Sequence, residues 1–413
     1  MQGSISDWAI ASSAECAGVV ATLGPGAGAT EFTRARVHFS PDVVSCAAEL
    51  ARGRDKTGDK WAPEMAAQIV GDREGIEMAS GWHVANHKGR RFAEAGFTRV
   101  TDLCCGIGGD SMGLVAQGLD VLGVDHDETR AWMCAQNASI ASPAGTCETL
   151  ACDVLDGRIP TDTAFHLDPA RRIEGRRVTR FEDLMPGPDV IGEIVESRVA
   201  GAVKLNPGID ANTLPEGELE IISDHGKLTQ AVLWTGSLAR HERCATVIDR
   251  DGCSVSIHGE PWRSDERSPV GQMIHTMDPS VERADLVPVL IERTGLAHVQ
   301  PGLGLLTGDA TDLPEAGLPE ASRAVARAFL TPFEVLAVMP WNAKRVKKHL
   351  ATLDAGVVEV KTRGGAVHPD QEQRRLRGKG ERVLTVFVYR FDDGIQALIT
   401  RRIPGVEREG WSG

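Results

Sequence analysis

The sequence predicts an α/β protein with a mostly parallel, doubly wound sheet, a helical N-terminal region and a small C-terminal α+β module. Between residues 97 and 236, apolar strand-like runs alternate with helical patterns, as in "TRVTDLC", "DSMGLVAQG", "DVLGVD" and "HDETRAWMCAQNA". Strands that alternate with helices form parallel sheets covered on both faces. After residue 329, a strand, a helix, a strand, a second helix and a hairpin follow one another, which predicts the separate module.

Charge is distributed unevenly along the 413 residues, whose formal net charge is −13. Residues 322–413 carry 17 Lys+Arg against 10 Asp+Glu, a balance of +7, and the rest of the chain has a balance of −20. A basic segment on an acidic protein indicates a polyanionic partner. No apolar run approaches the roughly 20 residues of a membrane helix, and no secretory signal begins the chain. We therefore expect a cytoplasmic protein without membrane contact; its oligomeric state is left open.

Nine cysteines are scattered along the chain, and no C-x-x-C pair occurs. Neither a disulfide framework nor a zinc site is expected from this spacing, and buried reduced thiols are the preferred interpretation. His83 and His87 are four residues apart in "WHVANHK", but no third ligand is apparent, so surface histidines are favoured over a metal site. We expect no metal.

The stretch "VTDLCCGIGGDSMG", residues 100–113, predicts a ligand-binding loop between a strand and a helix. Gly106, Gly108 and Gly109 allow close approach of a ligand to the backbone, at the carboxyl edge of the sheet where ligands bind. Asp102 precedes the glycines, and an acid there would repel the pyrophosphate of a dinucleotide. The loop therefore favours a phosphate-free ligand with a cationic group.

S-adenosylmethionine meets this description, because it has an ammonium, a carboxylate and a ribose but no phosphate. Asp102 is predicted to serve its cationic amino-acid end. Asp125 closes the next strand in "VLGVDHD", where a carboxylate can accept both ribose hydroxyls. Asp153 falls near the end of the following strand, in position for the adenine amino group.

The loop resembles the first motif of class I S-adenosylmethionine-dependent methyltransferases, acid-x-Gly-x-Gly-x-Gly. Cys104 stands in the first glycine place, while Gly106 and Gly108 match the second and third. This variant is similar to the trimethylguanosine synthases, which also have a cysteine just before the glycines. We predict that the two cysteines fill a tight corner and do no chemistry.

The stretch "AFHLDPARR" resembles the acid/Asn-Pro-Pro-aromatic motif of methyltransferases that act on amino groups of bases. Asp168 and Pro169 are kept, but Ala170 and Arg171 follow, so the stacking ring is missing. The resemblance implies that Asp168 orients the nucleophile or accepts its proton. Arg171 and Arg172 either hold an anionic group of the substrate or pair with local acids.

RNA uracil-5-methyltransferases have a related motif, but they need a cysteine nucleophile at a later strand end. The corresponding stretch here, "VKLNPGID" at residues 203–210, contains no cysteine. Covalent attack on a pyrimidine is therefore disfavoured.

The last segment resembles the THUMP-like domain of a family of bacterial methyltransferases, through "FEVLAVMPWNAKRVKKHL", "GVVEVKTRGGAVHPDQEQRRLRGKG" and "RVLTVFVYRF". THUMP domains help RNA-modifying enzymes bind structured RNA. The resemblance implies that Trp341 stacks on a base and that exposed basic side chains contact phosphates. The basic candidates are Lys344, Arg345, Lys347, Lys348, Arg374 and Arg375.

Four segments are expected. They are a poorly defined N-terminal region (1–60), an S-adenosylmethionine-binding methyltransferase domain with a helical lead-in (61–270), a helical connector and linker (271–328), and a THUMP-like domain (329–405). In the first segment, "SPDVVSCAAELARG" predicts one helix. The expected function is direct in-line methylation of a guanine-type base nitrogen in RNA. A small-molecule or protein methyltransferase, and a non-catalytic RNA-binding protein on this scaffold, remain as alternatives.

Overall fold

The computed structural model describes residues 3–141, 144–170, 172–173, 176–177, 180–262, 264, 266–308, 319–391 and 394–403. The chain divides into two compact units, which are residues 1–219 with 229–240, and residues 220–228 with 241–413. Among the described residues, no helix is both long enough and apolar enough to cross a bilayer.

The first unit begins with seven helices: α1 (Ile5–Ala11), α2 (Ala17–Thr22), α3 (Ala29–Ala35), α4 (Pro41–Arg54), α5 (Pro63–Ala66), α6 (Arg73–Met78) and α7 (Trp82–Glu94). The predicted helix at residues 40–53 corresponds to α4, which Ser40 caps by accepting the Val43 N–H at 3.3 Å. The sequence did not reveal α1 to α3, because helices of six or seven residues depend on tertiary packing. Trp8, Leu23 and Leu50 provide that packing in a shared core.

The helical lead-in of the methyltransferase domain is interrupted between α6 and α7. Ala79 and Gly81 have extended backbone, with ψ of 146° and 158°. The Lys60 ammonium ends α6 by donating to the carbonyls of Ile76, Glu77 and Ala79 at 2.9, 2.7 and 2.8 Å. Lys60 therefore caps the end of α6 from outside this segment, and the apolar periodicity of the segment does not show the break.

The central elements are β1 (Arg99–Leu103), α8 (Gly109–Ala116), β2 (Asp120–Asp125), α9 (Glu128–Ala138), β3 (Cys147–Ala151), β4 (Ala164–Leu167), the short strands β5 (Arg172–Ile173) and β6 (Arg176–Arg177), α10 (Pro188–Glu196), β7 (Ala200–Leu205), β8 (Glu218–Asp224) and β9 (Lys227–Gly236). They alternate between strand and helix from β1 to α9, as predicted, and strands β3 to β6 then precede α10.

In this unit the strand order is β9-β7-β4-β1-β2-β3. The strands from β7 to β3 pair in parallel, and β9 pairs antiparallel with β7. The chain runs from β1 to β2 and β3 in one direction and then places β4 on the other side of β1. Ligands of open α/β sheets bind at such a reversal, beyond the carboxyl ends of the strands. The predicted mostly parallel sheet is confirmed.

The second unit contains β10 (Arg243–Ile248), β11 (Ser254–Gly259), β12 (Met273–Met277), α11 (Pro279–Arg283), α12 (Val287–Thr294), β13 (Ala297–His298), β14 (Leu305–Gly308), α13 (Glu320–Phe329), β15 (Leu330–Pro340), α14 (Ala343–Thr352), β16 (Ala355–Arg363), α15 (Pro369–Leu376), β17 (Arg382–Phe391) and β18 (Gly394–Arg402). Seven strands form one sheet in the order β13-β14-β12-β15-β18-β17-β16. The predicted hairpin is β17 with β18, which pair antiparallel.

The segment 271–328, expected to be a helical connector, contains helices α11 to α13 but also strands β12 to β14 of this sheet. These strands have two to five residues, and short apolar runs do not distinguish strand from helix by periodicity. Residues 309–318 of the expected linker "TGDATDLPEAGLPE" lie outside the described residues. The domain boundaries stay a prediction.

Candidate active site

The glycine loop between β1 and α8 has left-handed backbone at three positions. The φ angles are +57° at Cys104, +54° at Gly106 and +82° at Gly108. A cysteine in this region costs about 1–2 kcal/mol, whereas glycine adopts it freely. Gly108 also lies against α9, since a Cβ there would come 2.9 Å from the Cα of Cys134. The loop is therefore a constrained turn that needs these glycines.

Asp125, the last residue of β2, holds the loop from the side. Its Oδ2 accepts the Gly106 N–H at 2.9 Å, and its Oδ1 accepts the Asp127 N–H at 3.0 Å. Each carboxylate oxygen can accept a second hydrogen bond. Asp125 can therefore fix the loop and still accept hydroxyl groups of a ligand.

A cavity of about 600 Å³ lies along the loop. Its walls come from α6 and the turn after it, the glycine loop, the residues that follow β2, β3 and β4, and the segment before α10. Seven of the residues predicted for cofactor binding and catalysis line this cavity: Cys104, Gly106, Gly109, Asp125, Asp153, Asp168 and Pro169. The parallel strand order thus brings together residues that lie far apart in the sequence.

The lining of the cavity is acidic. Its carboxylates are those of Glu74, Asp110, Asp125, Asp153 and Asp168. The basic side chains among the described lining residues are those of His126 and Arg130, and both oxygens of Asp72 already bind Arg130, at 2.8 and 2.9 Å. Buried lysines pair with two of these carboxylates, those of Asp110 and Asp168. The carboxylates of Glu74, Asp125 and Asp153 still make the lining negative, which favours a cationic ligand over a pyrophosphate. The sulfonium and ammonium of S-adenosylmethionine fit such a lining.

Asp102 does not have the predicted position in the cavity wall. It is 1% exposed and lies beneath the loop. His166 Nδ1 is 2.8 Å from its Oδ1, and the Ser111 hydroxyl donates to its Oδ2. Both oxygens therefore face interior donors. The sequence suggested that Asp102 contacts the cationic end of the cofactor directly. The geometry instead favours a role in which Asp102 supports the glycine loop from below.

Behind Asp102, a buried polar chain continues through His166 to Lys88 of α7. The Lys88 Nζ lies 3.1 Å from His166 Nε2 and also contacts the Asp110 carboxylate. The two ring nitrogens of His166 therefore face different partners, Nδ1 the Asp102 carboxylate and Nε2 the Lys88 Nζ. His166 and Lys88 are 0% and 1% exposed.

A second buried lysine links this chain to the cavity. Lys204 of β7 is 2% exposed, and its Nζ lies 2.5 Å from Asp168 Oδ2 and 3.4 Å from Asp110 Oδ2. The Ser80 hydroxyl, in the turn between α6 and α7, donates to the same Asp110 oxygen at 2.8 Å. Asp110 is thus shared by two lysines and one serine.

The charges in this cluster depend on one another. Burial lowers the pKa of the Lys88 ammonium, and the charge of Asp110 opposes that effect. Burial alone would raise the pKa of Asp110, but Lys88 and Lys204 outweigh it and hold this pKa well below its usual value. Asp110 is therefore ionised and is the shared counterion of the two lysines.

Close helix packing places Lys88 beside Asp110. A Cβ at Gly89 of α7 would come 2.5 Å from the Gly113 carbonyl oxygen of α8, and a Cβ at Gly113 would come 2.2 Å from Ala85. Only glycine permits this approach of the two helices. The helix contact therefore depends on sequence positions outside the ligand loop.

Cys104 lines the cavity but is poorly suited to be a nucleophile. Burial raises the pKa of its thiol, and the charges of Asp125 and Asp168 raise it further. The reactive form of cysteine is the thiolate, which this environment disfavours. This supports the predicted packing role. In the described part of the chain, no group of three or more His, Cys, Asp or Glu side chains is arranged to hold a metal ion.

The roles predicted for the two arginines after the fourth-strand motif stay predictions. Arg171, predicted to be catalytic, lies outside the described residues, and Arg172, predicted to bind substrate, begins β5 without a described side chain. Asp110, His166 and Lys204 are not among the site residues predicted from the sequence. A signal was present for the last two, since a charged or polar residue inside a fully apolar strand is rare unless it is paired.

In the second unit, α14 and α15 pack beside each other, and the Lys347 ammonium donates to the Arg375 carbonyl at 2.6 Å. Their apolar faces cover one core, which includes Val346 and Leu376. Trp341 is half-buried against this core. The predicted basic residues are all exposed on the two helices: Lys344, Arg345, Lys347, Lys348, Arg374 and Arg375.

Comparisons with known proteins agree with this fold. Residues 330–402 match the family described as "THUMP domain-like". Two Mycobacterium tuberculosis proteins, from strains H37Rv and CDC 1551, are 31% identical over 376 residues, which cover 87% of this chain and 96% of theirs. Both are named as uncharacterized S-adenosylmethionine-dependent methyltransferases.

A solved structure of a candidate methyltransferase from Porphyromonas gingivalis W83 shares the fold, with a TM-score of 0.73 and 16% identity. The alignment covers 97% of this chain and 99% of that one. The chain belongs to the S-adenosylmethionine-dependent methyltransferases and has a C-terminal THUMP-like domain. It is therefore an enzyme that uses S-adenosylmethionine, and the non-catalytic alternative is set aside.

Proposed function

We propose that this enzyme methylates an amino or ring nitrogen of a guanine-type base in RNA by direct in-line transfer. The observation that carries the proposal is the position of Asp168. Its carboxylate follows β4, is 23% exposed and lines the same cavity as the glycine loop and Asp125. A carboxylate there can accept a hydrogen bond from an N–H group of a base that enters the cavity.

The residues that line the cavity can each be given a role around the cofactor. Asp125 would hold the ribose hydroxyls, Asp153 the adenine amino group, and the glycine loop the amino-acid end. Bound S-adenosylmethionine supplies an electrophilic methyl group on a sulfonium. Asp168 would orient the acceptor nitrogen towards that methyl group and take up the proton that nitrogen loses when the N–C bond forms and the S–C bond breaks.

The missing aromatic ring of the fourth-strand motif has a partial replacement. Met185 and Pro186 line the cavity, and the Ala170 N–H donates to the Met185 carbonyl at 2.6 Å. The Met185 side chain is 57% exposed. We propose that this apolar edge covers one face of the base, because methionine sulfur makes favourable contacts with aromatic rings.

RNA is preferred over a small molecule or a protein because of the exposed basic faces of α14 and α15. Four cations of α14 lie within its first six residues, and α15 adds two more. Such a surface contacts a phosphate backbone rather than a single anionic group. Covalent attack on a pyrimidine is not proposed, because Cys104 is held as a thiol.

The test is transfer of a labelled methyl group from S-adenosylmethionine into a cell extract separated into RNA, protein and metabolites. We expect the label in RNA, and nuclease digestion should release it on a guanine derivative. Label confined to protein or to metabolites would contradict the RNA assignment.

Charge reversal on α14 gives a separate prediction. The double variant Lys344→Glu/Lys348→Glu should bind a short fluorescent single-stranded RNA at least ~10-fold more weakly. Its slope of log K against log salt should be smaller by about 1.4, since each phosphate contact with a single strand contributes about 0.7. Fluorescence anisotropy at several salt concentrations measures both quantities.

Arg34→Glu/Arg36→Glu is the matched control, because both side chains are exposed and belong to the first unit. It should retain wild-type affinity and slope. If the control variant loses as much RNA affinity as the α14 variant, α14 is not the RNA-binding face.

A further inference from the structure

Lys204 is an unusual residue for the middle of a parallel sheet. All six residues of β7 are buried, and the strand pairs with β4 on one side and β9 on the other. An ammonium at such a position is costly to bury unless carboxylates surround it. Two carboxylates contact it, and one of them, Asp168, faces the cavity.

The position of this ammonium is fixed from behind. Asp110 is ionised and contacts Lys88 as well as Lys204. If Lys204 turned away, the buried Asp110 carboxylate would lose one of its two positive neighbours, which is strongly unfavourable in the interior, and the partly exposed Asp168 carboxylate would lose its contact with Lys204. The Nζ therefore stays between the two carboxylates, 2.5 Å from Asp168.

We propose that Lys204 is a positioning residue that holds the Asp168 carboxylate in the orientation required for methyl transfer. The proposal rests on the role of Asp168 proposed above. Lys204 does not line the cavity, so it acts through Asp168 and not on the acceptor. Restricting the carboxylate to one orientation keeps the acceptor nitrogen aligned with the methyl group, and loss of alignment lowers the rate of the chemical step.

The test is Lys204→Met, which keeps the length of the apolar stem and removes the charge. We expect kcat to fall about 10- to 100-fold, as is usual for lost alignment, while the Kd for S-adenosylmethionine stays within about 3-fold of wild type.

Lys88→Met is the matched control, because Lys88 is equally buried and also binds Asp110, but has its hydrogen-bond contact with His166 instead of Asp168. The loss of kcat should be at least tenfold greater at Lys204 than at Lys88. Equal losses would mean a general effect of removing a buried lysine and would overturn the proposal.

The double variant Lys204→Met/Asp168→Asn covers the case in which Lys204→Met does not fold, since it removes both charges of the pair. Its residual kcat should equal that of Asp168→Asn within about 3-fold, because coupled residues are non-additive. A further tenfold loss in the double variant would show that Lys204 acts independently of Asp168.

If instead Asp168→Asn alone keeps the wild-type rate, the proposed function fails. A normal rate in Lys204→Met beside an inactive Asp168→Asn refutes only the role of Lys204.

Discussion

Replacing Asp125 by alanine should reduce the affinity for S-adenosylmethionine by at least ~100-fold. Hydrogen bonds to a charged group are worth about 1.5–3 kcal/mol each, and each 1.4 kcal/mol is about tenfold in affinity. Asp125 is expected to accept two ribose hydroxyls, and its loss also frees the Gly106 N–H that it now binds. Equilibrium dialysis with labelled S-adenosylmethionine measures the effect.

Two further variants separate the ribose contact from the support of the loop. Asp125→Asn keeps an oxygen for the Gly106 N–H but removes the charge, so a smaller loss of about tenfold is expected, in line with the weaker hydrogen bonds of a neutral acceptor. Asp120→Ala, at the opposite and exposed end of β2, should bind the cofactor normally. Undiminished binding by Asp125→Ala would remove the ribose assignment.

Replacing Asp168 by asparagine should lower kcat about 10²- to 10⁴-fold, the range for loss of a positioned proton acceptor. Asparagine has the same shape, but its NH₂ group can donate towards the acceptor nitrogen instead of accepting from it. Because Asp168 is not assigned to the cofactor, the Kd for S-adenosylmethionine should change by less than about 3-fold, well below the loss of a charged hydrogen bond.

The matched control is Asp162→Asn, an exposed acid before the other end of β4. Single-turnover methyl transfer to the RNA fraction, measured with saturating cofactor, separates the chemical step from binding. A thermal melt of each variant confirms that the protein is folded. Full-rate transfer by Asp168→Asn would make this residue structural and would leave the enzyme without its proposed proton acceptor.

The sequence determined the alternation of strands and helices from β1 to α9, the glycine loop, and the acids that follow successive strands. In a parallel sheet, the carboxyl ends of neighbouring strands meet at one edge, so Asp125, Asp153 and Asp168 could be placed near one another without coordinates. The turn between α6 and α7 was missed, because Lys60, whose ammonium binds the last carbonyls of α6, lies outside the periodic segment.

Only the tertiary structure decided which charged residues pair. Lys88, Asp110 and Lys204 come from two helices and a strand, and Lys204 is 94 positions from Asp110 in the sequence. The pairing depends on the close contact of α7 with α8 and on the neighbouring places of β4 and β7. The apolar periodicity of the sequence shows which face of a helix or strand is buried. The partner of a buried charged residue is decided by how the elements pack across the sheet. For the same reason Asp102, which sequence assigned to the ligand, lies beneath the loop, bound to His166 and Ser111.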